Sequence, residues 1–246
     1  MILSKASLEV RQVVSRERSG GPLRFVWIER DGTCVGANGN MLMAVEPLDR
    51  ERLGVPPADG EVGVQGPGVL VDADVISQVL KNMPRSAKGG TQMQFAVLTR
   101  CSEGAVEFAC ADRQQEKRVV GRMGRGAFPQ WRSVLRGARA LDGWDGANRF
   151  CVNRKDVLLL LGAMESACLD PSGDNATFIE WYGGAGGGDG GAGLILRGVN
   201  YFTGQRAIGY VLPLDTGGEW LLDNEWERRV FAQSAGRRKT KKRRIQ

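Results

Sequence analysis

The segment VLVDADVISQVL, beginning at Val69, superposes on FCVNRKDVLLLL, beginning at Phe150. Internal repetition of this kind commits a chain to a fold in which one small unit is used more than once. In the earlier copy Val69-Leu70-Val71 reads as a short strand and Asp72 as a helix N-cap. Val75, Ile76, Val79, Leu80 and Met83 follow as one helical face closed by Pro84. Met93, Phe95 and Val97 alternate up to Ser102-Glu103-Gly104, and Val106, Phe108 and Cys110 alternate beyond it, which is the period of a hairpin. Arg118 to Met123 supplies a third strand.

The later copy places Asn153 in the capping position and puts Val157, Leu160, Leu161, Met164 and Cys168 on one helical face. Thr177 to Tyr182, Leu194 to Val199 and Arg206 to Leu212 are its strand candidates. A further copy opens the chain, where Leu3, Ala6, Val10, Val13 and Val14 fit a short amphipathic helix and Leu23 to Ile28 an apolar stretch ending at Arg30-Asp31-Gly32. The expected fold class is therefore α+β, a strand-helix-antiparallel-strands unit used about three times.

Gly137 to Ala147 is rich in Gly, Ala and Asp and reads as a linker, with a domain boundary near residue 140. The expected organisation is a complete domain of two units over 1–136, a linker over 137–146, and a shortened domain of one unit over 147–214. An extension over 215–236 and a disordered basic tail over 237–246 complete it. Gly183 to Gly193 joins two strands rather than a strand to a helix, so it is read as a flexible hairpin loop and not a phosphate cradle. Trp220, Leu221, Leu222, Trp226, Val230 and Phe231 make the extension too apolar for pure linker, and a short helix packing on the body is expected.

Several function classes are excluded or disfavoured. There is no histidine, so Ser-His and Cys-His catalysis is unavailable. The acids Glu29, Asp31, Asp72, Asp74, Asp142 and Asp145 are scattered and read as caps, turns and solvated surface. Cys34, Cys101, Cys110, Cys151 and Cys168 are odd in number and lack a C-x-x-C pair, which argues against a disulfide framework or zinc and for reduced core thiols. The expectation is a protein with no catalysis, no metal and no cofactor; an enzyme using Asp or Lys chemistry is the least favoured alternative. No apolar run nears the roughly 20 residues of a membrane span, so the chain is expected to be cytoplasmic with no membrane association.

The net charge of +6 is unevenly placed. Arg237, Arg238, Lys239, Lys241, Lys242, Arg243 and Arg244 carry the excess, and the rest of the chain is close to neutral. Such a run neutralises phosphates without reading base sequence.

Three separated segments carry a resemblance. Gly36-Ala37-Asn38-Gly39-Asn40-Met41-Leu42 resembles A-T-D-G-H-R-L, Phe128-Pro129-Gln130-Trp131-Arg132-Ser133-Val134-Leu135 resembles F-P-D-Y-R-R-V-L, and Tyr210-Val211-Leu212-Pro213-Leu214 resembles V-V-M-P-M. In that order, these are motifs of the bacterial DNA polymerase sliding clamp of the beta-subunit type. The resemblance implies repeated units of the DNA clamp type with helices on one face and sheets on the other, assembled into a ring. Residues 1–136 are comparable to the middle of the family's three domains. Three units per chain would close a ring of twelve with about four chains, and four units with about three.

It also implies what the residues do. Arg11, Lys81, Arg85, Lys88, Arg154 and Lys155 would face duplex DNA from the inner helices, without sequence specificity, with the basic tail assisting. Gly39, Leu42, Pro129, Val134, Leu212, Pro213 and Leu214 would line a pocket for a partner peptide. The implied function is a processivity factor, a homo-oligomer that tethers a DNA polymerase or another clamp-binding protein and is placed on DNA by a clamp loader. Asn38, Asn40, Met41 and Ser133 depart from the motifs and remove polar anchors, so partner specificity does not transfer. The competing reading is a non-ring module with the same fold that recruits proteins to DNA or competes with a host clamp.

Overall fold

The computed structural model describes residues 1–57, 60–64, 66–83, 95–102, 104–111, 116–139, 151–168, 178–182 and 193–214. The first unit comprises β1 (Ile2–Ser4), α1 (Lys5–Leu8), the 3-10 helix Glu9–Val13, β2 (Phe25–Glu29), β3 (Cys34–Ala37) and β4 (Met41–Val45), with a one-turn helix α2 (Arg50–Leu53) behind it. The second comprises β5 (Gly68–Asp72), α3 (Ala73–Asn82), β6 (Phe95–Ser102), β7 (Ala105–Ala111) and β8 (Glu116–Arg122). After α4 (Trp131–Arg139) comes the third, with β9 (Cys151–Val152), α5 (Arg154–Ala167), β10 (Phe178–Tyr182), β11 (Gly193–Val199) and β12 (Arg206–Val211); β13 (Pro213–Leu214) pairs back with β9.

Each unit turns from strand to helix on a polar cap. Ser4 Oγ accepts from the Ser7 N–H at 3.1 Å, Asp72 Oδ1 from Asp74 at 2.8 Å and Asn153 Oδ1 from Lys155 at 2.9 Å. Two of these caps are those expected from the repeat. Ser4 is the equivalent in the first unit, where the expected single helix is instead a short strand, one α-turn and a 3-10 turn. The reason lies beneath it: a Cβ on Gly36 of β3 would stand 2.1 Å from the Val10 carbonyl oxygen, so the backbone of the turn rests directly on the sheet.

The first two units exchange their opening strands. β1 joins the second unit's sheet, in the order β1-β6-β7-β8, while β5 joins the first unit's strands β2, β3 and β4. The third unit then extends the first: β12 pairs antiparallel with β4, with Tyr210 opposite Leu42, giving a seven-stranded sheet β10-β11-β12-β4-β3-β2-β5. Because successive side chains alternate between faces, Cys34, Met41, Met43, Val45, Leu194, Leu196, Ala207 and Val211 point to the main core. There they meet Leu8, Val10, Val13, Ile76, Val79, Leu160 and Met164 from the helices. α3, α1 with its 3-10 turn, and α5 stand in that order along this side. Linker residues 140–146, the loop over 183–192 and everything beyond Leu214 lie outside the described residues, as do Pro84 and Met93.

Candidate functional site

The other face of the seven-stranded sheet carries the candidate site. Val35, Ala37, Leu42 and Ala44 from β3 and β4, and Ile195, Ile208 and Tyr210 from β11 and β12, make an apolar surface across the join between the first and third units. Such a surface must be covered or used. Phe128, Trp131 and Leu135, from the segment leading into and along α4, lie on it.

A carboxylate pins that segment. Glu29 Oε1 accepts from Trp131 Nε1 at 2.9 Å and from Trp27 Nε1 at 3.3 Å, while Arg132 holds both carboxylate oxygens, at 2.7 and 2.5 Å. The Arg132 guanidinium also lies 4.3 Å from the Trp131 ring centroid, and Trp27 stacks on Phe128 with centroids 6.0 Å apart. Hydrogen bonds to Glu29 raise the Arg132 pKa above its ordinary value, so its charge is permanent. Composition placed Glu29 among scattered surface acids. The only sequence signal for its role was Arg132, the arginine of the F-P motif that this chain keeps.

The three motifs of the resemblance meet on this face. Gly39 is exposed at the tip of the β3–β4 turn with φ +93°, a conformation that suits glycine. The Leu212 N–H donates to the Asn40 carbonyl at 2.8 Å, which seats the third motif against the first. Leu212 and Val134 are 38% and 41% exposed and Pro129 is exposed, so all three are accessible, whereas Leu42 is 6% exposed and forms the floor. Pro213 and Leu214 are placed by their backbone in β13.

Beside this set, a cavity of ≈ 510 Å³ opens between α4 and the β11–β12 end of the sheet, lined by Ala44, Ile208, Val199, Trp131, Arg132 and Arg206 among others, and by none of the seven expected pocket residues. On the opposite side of the molecule Lys81, Arg154 and Lys155 are exposed on the helices. Arg11 lines a polar hollow of ≈ 610 Å³ with Arg16, Arg24 and Asp72, and makes a 3.8 Å contact with Glu9. Arg85, Lys88 and the seven tail cations lie outside the described residues. Among the described residues no cluster of His, Cys, Asp and Glu could hold a metal, and no helix is long and apolar enough to cross a membrane.

Units that trade their first strands, keep their helices on one side and join through their last strands define a class of repeat-built α+β folds. Comparison with solved structures places the chain within that class. It is similar to the H. pylori beta clamp solved with diflunisal, with 7% identity over 87% of this chain and 65% of that one and a TM-score of 0.50. It is also similar to the DNA polymerase beta subunit of Streptococcus pyogenes, at 9% identity over 88% and 66% with a TM-score of 0.48. A third is the Pseudomonas aeruginosa DNA polymerase sliding clamp, at 11% identity over 87% and 65% with a TM-score of 0.44. The fold is that of a sliding clamp, in divergent form, and the chain spans about 65% of the length of the first clamp structures it matches. No protein-family model and no curated protein matches.

Proposed function

We propose that this chain is a sliding-clamp-like processivity factor. It associates with duplex DNA without reading sequence and tethers a polymerase or another DNA-processing partner through the outer face of its long sheet. The observation that carries this reading is the division of the molecule into two sides. One side presents a row of helices with Lys81, Arg154 and Lys155 exposed, the other an apolar face on which three motifs converge around Leu42. Loose phosphate contacts from the first side suffice for a protein linked topologically to DNA. Arg11, Arg85, Lys88 and the basic tail are assigned to the same task.

On the outer face, Val134 and Leu212 are the accessible apolar anchors around the Leu42 floor. Gly39, Pro129, Pro213 and Leu214 complete the pocket in this reading, and apolar burial supplies most of its affinity. The assembly is a homo-oligomer closed around the duplex, placed there by a loader.

The test is retention. Protein placed on a nicked circular duplex should stay through a high-salt wash and leave within minutes once the circle is cut at one site. Equal loss from circular and linear DNA would leave the fold without its ring and favour a recruiting module.

A further inference from the structure

The apolar surface on the outer face of the long sheet extends past the segment that covers it. Phe128, Trp131 and Leu135 lie over the part around Leu42 and Tyr210, but toward the start of β12 the face opens into the cavity of ≈ 510 Å³. Alternation brings Ala44, Arg197, Val199, Arg206 and Ile208 to this side, with Ile208 opposite both Ala44 and Arg197, and Arg206 opposite Val199. Ala44 and Ile208 form the floor, Trp131 a wall, and Val199, 53% exposed, an apolar rim. The charge at the mouth is mainly positive. Arg132 is engaged with Glu29, whereas Arg206 is exposed and its guanidinium has no ion pair among the described residues. Glu46 also lines the cavity, but its carboxylate accepts from the Arg206 backbone N–H at 2.7 Å. An apolar floor under an arginine rim suits an occupant that is both apolar and acidic.

We propose that this cavity is the docking site of the chain's own segment 219–227, which acts as a built-in competitor for the site. That segment has the chemistry the cavity selects. Trp220, Leu221, Leu222 and Trp226 are interleaved with Glu219, Asp223, Glu225 and Glu227, and no lysine or arginine falls between Asp215 and Glu227. Its distance along the chain is right as well. The described chain ends at Leu214, just past the end of β12 that is remote from the cavity, and Gly217-Gly218 allow it to turn back. β12 has six residues and is about 20 Å long, and residues 215–220 span about the same length when extended. Trp220 is therefore the first large apolar side chain that reaches the mouth, with Leu222 and Trp226 following it onto Ala44 and Ile208 and the carboxylates falling to Arg206 and Arg197. A tether this short holds the segment at an effective concentration of about 1 mM, so an acidic, tryptophan-bearing stretch of another protein gains the cavity only by displacing it. None of this depends on whether the chain encircles DNA.

Displacement tests it, with a fluorescein-labelled peptide of sequence 217–227 and the full-length chain. Trp220→Ala with Trp226→Ala disables the chain's own segment, and this variant should bind the peptide, measured by fluorescence polarisation. If it does so with a Kd of about 50 μM, wild type should bind about twentyfold more weakly, since its own segment competes at about 1 mM. Adding Arg206→Glu or Val199→Asp to the double variant should abolish peptide binding; both residues are exposed, so the melting temperature should stay put. Leu212→Asp, in the pocket around Leu42, should leave it unchanged. In wild type, hydrogen exchange should show residues 219–227 protected to the same degree at every protein concentration. Equal peptide binding by wild type and the double variant, or none by the double variant, would overturn the proposal. So would binding that survives both Arg206→Glu and Val199→Asp, or that Leu212→Asp removes, since the peptide then sits elsewhere. Protection that falls on dilution would assign the segment to a second copy and overturn docking within one chain.

Discussion

The first and second units hold one another by exchange, whereas the third is attached to the first by an extension. In the exchange, β1 is committed to one sheet and β5 to the other, so neither sheet is complete without both units. In the extension, β12 adds to an edge that β4 would otherwise expose, and the third unit's own strands remain together. Exchange makes two units one cooperative body. Extension leaves a body that could detach with its hairpins intact, and what opposes this is the helix packing beneath the join and a small buried polar hub.

Gln205 is that hub. It is 2% exposed, accepts from Ser4 Oγ at 2.5 Å, and donates to Ser7 Oγ at 2.9 Å and to the Glu46 carbonyl at 2.7 Å, tying the start of β12 to the helix cap of the first unit and to the end of β4. Gln205→Leu would strand these buried groups, and a loss of about 3 kcal/mol is expected. Hydrogen exchange should then show protection falling in β11, β12 and α5 while β6 and β7 keep theirs. Uniform loss across all three units would mean that the extension is as cooperative as the exchange.

A smaller effect is expected at the strap across the join. Glu29→Gln removes the charge that holds Arg132, but Arg132 is 52% exposed and its ion pair is screened. The expected loss is about 1 kcal/mol, because the amide oxygen can still accept from the two indoles and only the charge that strengthens those bonds and one acceptor for Arg132 are lost, with a shift in tryptophan fluorescence as α4 loosens. An unchanged spectrum would show that apolar contact alone seats α4.

The finest comparison uses thiols. Burial raises Cys110 in the second unit and Cys168 in the third from an ordinary value of 9.0 to about 11 each, with Lys117 lowering Cys110 slightly against that trend. Both stay protonated in the native protein at pH 8, so alkylation there reports opening. Cys168 should be modified several-fold faster than Cys110. Because unfolded thiols ionise near 9.0 and the folded ones near 11, their contribution to stability is complete below pH 9 and is lost as pH climbs through that interval. Equal alkylation rates would erase the distinction between exchange and extension.

The repeat was legible because its signals are local. A cap at Asp72 or Asn153 and a stripe such as Val157, Leu160, Leu161 and Met164 depend on residues within a few positions of each other, and the structure places them as expected. The exchange of β1 and β5 and the pairing of β12 with β4 were not legible, since they join residues far apart through backbone groups that every residue carries. The opening stripe misled for the same reason. Leu3 has helical spacing from Ala6 yet lies in a strand, because a sheet far along the chain supplies its partner at Ala96. The three motifs meet on one face of the sheet. Their sequence did not show that Leu42 is buried there, because that depends on where α4 lands.

The edge of β8 carries a different consequence. Among the described residues no strand lies beyond it, and Val120 there is 67% exposed, yet Glu116, Lys117, Arg118 and Arg122 flank it. Charges along an open edge deter stray strand addition. During synthesis β8 is complete well before the third unit emerges, so two growing chains on one messenger could bring such edges together at high local concentration. Arg118 is held by Glu107 and Glu116, so the Lys117 and Arg122 charges would meet first, and the early two-unit body would be kept from zipping into polymers until the rest of the chain has folded.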